Sequence, residues 1–267
     1  MSRSDKNWLI PLLLAAGAAG AFWYYWSTAN RSEPGPVPVL VEPEAVEEQR
    51  RPGPLHPLEP LTSGTGGERE LVPLPPLDDS DAYFRLELVN IYGSQLDTLL
   101  TDETLIEKFV ATIDNLPRGH VAERLRPLGR ISGTFSVDSD EDTVIASPTN
   151  FGRYDFLIDM LVHADLDIVV DVYRRYYPLL QEAYVGLGYP NGYFNDRVVE
   201  VIDHLLATPL PEGSPHLVRP HVLYEYADPD LEALSSGQKI LLRMGNSNAE
   251  RVKSALTEFR TRVAVSN

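Results

Sequence analysis

The chain has no cysteine, so neither a disulfide nor a thiolate metal site can hold it together, and its core must come from apolar packing. Lysine is nearly as scarce, with Lys6, Lys108, Lys239 and Lys253 the whole complement. Basic residues are outnumbered, 23 Lys and Arg against 39 Asp and Glu, for a formal charge of −16. Most of that charge is C-terminal: residues 78–267 carry 17 basic and 30 acidic residues, whereas residues 1–77 carry 6 and 9. Such a surface repels nucleic acid and anionic lipid headgroups over most of its area. Also missing are a G-x-S-x-G elbow, a P-loop and a dinucleotide fingerprint. The histidines, His56, His120, His163, His204, His216 and His221, lack the H-E-x-x-H and H-x-x-E-H spacings. Neither a cofactor nor a metal is expected.

What is present begins with an uncharged run from Trp8 to Trp26. As a helix rising about 1.5 Å per residue it is roughly 28 Å long, close to the thickness of a bilayer's hydrocarbon core. Trp8 and the Trp23–Trp26 aromatics are placed for the two interfaces, and Arg3 and Lys6 ahead of the run predict a cytoplasmic N-terminus. Ala19-Gly20-Ala21 also resembles a signal-peptide cleavage site. Cutting there would expose an aromatic N-terminus, so an uncleaved anchor is the preferred reading. Pro11 falls in the first turn of the span, where a missing N–H costs little.

Half of the 22 prolines fall between Asn30 and Leu77, among Glu, Gly, Ser and Thr and without an aromatic residue. That composition cannot build a core of its own and predicts a disordered, semi-extended tether. The expected organisation is a cytoplasmic tail at 1–7, a transmembrane helix at 8–26, a tether at 27–77 and a folded domain at 78–267.

Within that domain the apolar spacing is helical. Asp78-Asp79-Ser80 predicts a helix start running to Tyr92, and Thr101-Asp102-Glu103 another ahead of Leu105, Ile106, Phe109, Val110 and Ile113. A short helix is expected from His120 to Arg126. A hairpin is expected around Val137 and Thr143–Ala146, with the Asp138-to-Asp142 run at its tip. Helices follow at Tyr154–Val162, from an Asp165 cap to Leu187 with a bend at Pro178, and from an Asn195 or Asp196 cap through Leu206. Pro209–Pro215 reads as a loop, and Val218–Tyr226 is mixed and open to an extended form. Short helices from Asp228-Pro229 and from Ser235 or Ser236 precede a last one capped by Ser247 or Asn248 and ending near Val263. The fold class is therefore mainly α with one small hairpin.

Three segments carry a resemblance: Tyr-Arg-Arg-Tyr-Tyr-Pro-Leu-Leu-Gln-Glu-Ala-Tyr at Tyr173–Tyr184, Gly-Tyr-Pro-Asn-Gly-Tyr-Phe-Asn-Asp-Arg at Gly188–Arg197, and Leu-Ser-Ser-Gly-Gln-Lys-Ile-Leu-Leu-Arg-Met-Gly at Leu234–Gly245. Together they resemble a bacterial family catalogued as domain of unknown function 3014, from about residue 80 to the C-terminus. The resemblance implies an N-terminal membrane anchor and a Pro-rich spacer, and brings no activity or functional residue with it. Taken with Arg3 and Lys6 ahead of the span, the expected location is the bacterial inner membrane, single-pass, with the C-terminal domain in the periplasm.

The chemical signals are few. Ser236-Gly237-Gln238-Lys239 fits S-x-x-K, the pair used by serine acyltransferases of the cell wall, yet no lysine is followed by Thr-Gly, and a helix N-terminus with a solvated Lys explains it. Asp138, Asp140 and Asp142 open like a calcium loop, but Thr143 and Thr149 stand where Gly and Glu are needed. His163 with Asp165 and Asp167 could gather an ion, although Asp165 is explained as a cap. Six of the 13 tyrosines fall between Tyr173 and Phe194 beside arginines. Tyrosine faces and guanidinium groups suit binding surfaces, so Tyr173, Arg174, Arg175, Tyr176, Tyr189, Tyr193, Phe194 and Arg197 are the candidate binding residues. The bland alternative is that the helically spaced tyrosines line the core. The expected role is a non-enzymatic interaction module anchored in the inner membrane, meeting an envelope protein or peptidoglycan. The alternative is a wall-modifying or other hydrolytic enzyme using Ser236 with Lys239, or Asp196 with Asp203.

Overall fold

The helical stripes read from the sequence become nine helices and four short strands among the residues described by the computed structural model, namely 53–59, 61, 72–131, 133–140 and 143–264. All of these lie in the second of the chain's two compact units, 51–267. The expected span at 8–26 and most of the expected tether lie outside the described residues. No helix among the described residues is long and apolar enough to cross a membrane.

A 3-10 turn at Leu77–Asp79 leads into α1 (Asp81–Tyr92) and the single-turn α2 (Ser94–Asp97). The next helix, α3 (Leu105–Asn115), is not capped by Thr101-Asp102-Glu103 as expected. Asp81, in the first turn of α1, accepts from Thr104 N at 2.6 Å and Leu105 N at 2.7 Å. One carboxylate thus satisfies two backbone donors at the start of α3 and ties two helix starts together. The helix expected at His120–Arg126 is only a 3-10 turn at Glu123–Leu125, since a stretch holding few apolar residues offers little stripe to bury.

Strands β1 (Val137–Asp140) and β2 (Thr143–Ala146) pair antiparallel, Val137 opposite Ala146. Asp138 and Asp140 are strand residues facing Ile145 and Thr143, so the acidic run lies along β1 rather than only at the tip, and Asp142 lies outside the described residues. A second pair, β3 (Leu217–Val218) with β4 (Glu225–Tyr226), joins β2 through a single Ile145–His216 bridge.

The main helices are α4 (Gly152–His163), α5 (Leu166–Gly186) and α6 (Phe194–Leu206), then α7 (Pro229–Glu232), α8 (Ser236–Arg243) and α9 (Asn246–Val263). Asp165 caps α5 as expected, accepting from Asp167 N at 3.0 Å and Ile168 N at 3.4 Å. At α6 the expected caps Asn195 and Asp196 sit inside the first turn instead; Gln181 of α5 accepts from Phe194 N at 2.8 Å. Likewise α9 begins after Gly245, at φ 81°, rather than at Ser247 or Asn248. A Cβ at Gly245 would lie 2.9 Å from the Phe151 ring, so both the turn and the close approach require glycine.

Helix α3 packs on α5, and α9 packs across α4 and α6. The main core joins Phe84, Ile106, Val110, Tyr176, Leu180 and Phe194, with a smaller cluster around Ile158, Val201 and Met244. Leu58, Leu74 and Leu77, all from the expected tether, pack against the main core.

Candidate functional site

Helix α5 contains Pro178 and still runs unbroken to Gly186. Proline has no N–H to give the carbonyl four residues before it, which is that of Arg174. That carbonyl accepts Leu61 N at 3.4 Å. It is the first of several contacts that hold an N-terminal strap, residues 53–59 and Leu61, bent at Leu55 and His56, on the face made by α5 and the start of α6.

The strongest contacts come from the two residues freed from capping. Asp196 takes Leu55 N on one carboxylate oxygen at 2.9 Å and His56 N on the other at 2.7 Å. Asn195, with no exposed surface, donates through Nδ2 to His56 O and to Val263 O, both at 2.8 Å, while its Oδ1 accepts from the Tyr173 hydroxyl at 3.0 Å. Pro54, His56 and Leu58 of the strap are half-buried and their neighbours exposed. Beyond the strap, Arg175 Nη2 donates to Val72 O at 3.2 Å. The strap is therefore held by its backbone hydrogen bonds and by Leu58, which packs against the main core.

The candidate residues divide among three places. Tyr173, Tyr176 and Phe194 are buried in the main core. Burial raises the Tyr173 hydroxyl well above its ordinary value, with the charges of Tyr177 and Asp196 adding to it. Burial, with the Glu87 charge adding and Arg175 opposing, pushes Tyr176 up to about 12. Arg175 pairs with Glu87 at 2.7 Å and lies over the Tyr176 ring, 5.8 Å from its centroid. Arg174, whose carbonyl holds Leu61 N, and Tyr193, which directly precedes α6, are half-buried, and Nε of Arg174 is buried without a partner.

Tyr189 and Arg197 meet elsewhere, at the buried Asp114 of α3. Arg197 donates to Asp114 Oδ1 at 2.9 Å and to Asp114 O at 2.8 Å, and pairs with Glu200 at 2.9 Å. Burial opposes the Arg197 charge, but Glu200 and Asp114 outweigh it and hold the guanidinium above its usual value. Arg118 pairs with Asp114 at 2.8 Å, and Tyr189, stacked on Tyr184 at 4.6 Å, donates to it at 3.2 Å. Asp114 was hidden from sequence reasoning because it sits inside an otherwise apolar helical stripe.

The other chemical signals have local partners. Ser235, not Ser236, caps α8 in a reciprocal box with Gln238. The Ser236 hydroxyl lies 3.3 Å from Leu116 O, and Lys239 is not solvated but paired with Glu232. Asp203 pairs with Arg260 at 2.5 Å, separately from the strap-bound Asp196. His163 Nδ1 meets Asp159 O at 2.8 Å, and Asp167 pairs with Arg262 at 2.7 Å. No group of three or more acidic or histidine residues suited to a metal gathers among the described residues. A separate apolar cavity of about 300 Å³ lies between α3, α4, α5, α6 and α9, lined by Phe109, Ile113, Val169, Ile202, Leu256 and Phe259.

Residues 105–260, more than half of the chain, match the family described as Protein of unknown function (DUF3014). The chain belongs to that family. The DUF3014 match runs from the start of α3 into α9, so it contains Arg174, Asn195 and Asp196 but not the strap they hold. No curated protein and no solved structure matches the chain.

Proposed function

We propose that this DUF3014 protein is a non-enzymatic interaction module, anchored by residues 8–26 in the bacterial inner membrane and displayed in the periplasm, where its α5–α6 face meets an envelope protein. One observation carries the interaction role: side chains of this face, Asp196 and Asn195, hold a polypeptide segment by its main-chain N–H and C=O groups, which a chain of another sequence also carries. The charge pattern Arg3 and Lys6 ahead of the uncharged run supports the orientation. The acidic domain disfavours anionic lipid and nucleic acid as its targets, which leaves protein as the favoured partner over peptidoglycan.

The test is complementation of a deletion strain, with folding checked by thermal melting of each variant. Ser236→Ala should retain the cellular role and Arg174→Glu, on the strap-side face, should impair it. Loss of function in a folded Ser236→Ala variant would favour the hydrolytic alternative. Protease added to spheroplasts should digest the domain; protection would overturn the orientation.

A further inference from the structure

We infer that the α5–α6 clamp is a binding site for proline-punctuated Pro-Leu segments that bend between their prolines, and that the strap is its resident self-ligand, seated until a partner's segment of the same pattern displaces it. This rests on the interaction role proposed above and names the partner's chemistry.

The clamp is built before any ligand arrives. Asn195 is fixed by the Tyr173 hydroxyl and by Val263 O, two partners that belong to the domain, and only one of its amide hydrogens reaches out to His56 O. Asp196 stands in the first turn of α6, where the helix dipole favours a carboxylate with or without the strap. The Arg174 carbonyl is free because Pro178 cannot use it. Together these groups offer two acceptors for adjacent N–H groups, one donor for a C=O, and a further acceptor several residues on.

The strap's sequence fits that array. Pro54-Leu55-His56-Pro57 brings two consecutive N–H groups between prolines, so the donors that Asp196 takes are the only ones in that stretch. Pro57 disfavours helical geometry at His56, and the bend at Leu55 and His56 turns both N–H groups towards one carboxylate. Leu58 then reaches the core and Leu61 N the Arg174 carbonyl. The pattern recurs at Val72-Pro73-Leu74-Pro75-Pro76-Leu77, where Arg175 donates to Val72 O, and Leu74 and Leu77 reach the same core.

Exchange is favoured because the clamp's hydrogen bonds go to main-chain groups, while a leucine like Leu58 supplies the apolar contact. Leu55 is 78% exposed, so the side chain between the two best contacts contributes little that a different peptide would lack. The strap has the advantage of being in the same molecule, an effective concentration on the order of millimolar for a short linker. A partner must overcome that advantage, which makes the strap a threshold as well as a cover.

The experiment uses the full chain in detergent micelles and a fluorescein-labelled peptide of sequence Gly-Pro-Leu-His-Pro-Leu-Glu-Pro-Leu, read by anisotropy. The double variant Leu55→Pro, His56→Pro removes both strap N–H donors and touches no residue of the clamp. It should bind the peptide about tenfold tighter than the natural chain, and adding Asp196→Ala should abolish the gain. Equal binding by a folded double variant would overturn the proposal, leaving the strap a fixed part of the fold. Should the double variant not fold, hydrogen exchange on the natural chain decides: Leu55 and His56 amides should exchange faster than core amides, and faster still with excess unlabelled peptide. Exchange at the core rate would overturn it. A dimer that the double variant dissociates would assign the strap to a second copy and overturn seating within one chain. Photocrosslinking in cells from Tyr193 reads the interaction role separately. Crosslinks without peptide binding remove only the ligand class, and peptide binding without crosslinks removes only the cellular role.

Discussion

Asn195 shows how a side chain can be placed correctly by sequence and still be given the wrong task. The run Phe-Asn-Asp-Arg marks the start of α6, and Asn or Asp there reads as a cap. The cap instead comes from Gln181 of α5, a partner that local spacing cannot reveal. Replacing Asn195 by alanine would leave the Tyr173 hydroxyl and Val263 O without a partner inside the protein. We expect a loss of about 2–3 kcal/mol in denaturant titrations. Tyr176 gives a pH signature of its own. Its folded pKa of about 12 lies above the ordinary 10.0, so the unfolded chain releases the proton first. The stability it contributes is complete below pH 10.0 and is lost as pH rises towards about 12. Alkaline melting curves of Tyr176→Phe should fall less steeply across that window.

At the scale of elements, the long helices were legible because their apolar residues recur at three and four. The stripe from Leu105 to Ile113 marks α3, although its start falls after the expected Thr101-Asp102-Glu103, and the run from the Asp165 cap to Leu187 marks α5 to within a residue. The strands β3 and β4, two residues each, are too short to show any period. The strap was illegible for another reason: its hydrogen bonds to α6 run through its backbone, which leaves no imprint on side-chain pattern, and its single core contact, Leu58, shows no period. Its composition suggested a tether that begins the domain at residue 78, whereas residues 53–59 already lie against α6. The candidate site was legible as a neighbourhood only. Tyrosine spacing pointed to α5, while the buried status of Tyr173 and Tyr176 and the convergence of Arg197 on Asp114 depend on elements far away in sequence. The junction of α8 with α3 and α6 is equally specific. A Cβ at Gly237 would stand 2.7 Å from Leu205 Cδ2 and 3.1 Å from Leu116 Cβ. Gly237→Ala should therefore destabilise by about 1–3 kcal/mol despite alanine's better helix propensity, as thermal unfolding can measure.

At the scale of the whole molecule, the described residues leave an apolar cavity unfilled beside the core. The apolar cavity between α3 and α9 reaches about 300 Å³, and Ala255 lines it with room to grow. Ala255→Leu should raise stability by about 1 kcal/mol, since the added carbons replace water contact with apolar contact. A lower melting temperature would mean that the cavity closes around something the substitution displaces.

One amide group also joins the two ends of this fold. Asn195 Nδ2 bonds His56 near the start of the described chain and Val263 at the close of α9. The paths into and out of the domain therefore cross at a single nitrogen atom. Chains whose ends meet tolerate being rejoined there and reopened in an exposed loop. A circular permutant that links residue 264 to residue 53 through a short Gly-Ser bridge and opens within Pro209–Pro215 should fold with the same helical circular dichroism. Its peptide face would then stand beside a continuous stretch of chain, with both new ends free on the far loop for attachment to a surface or a reporter.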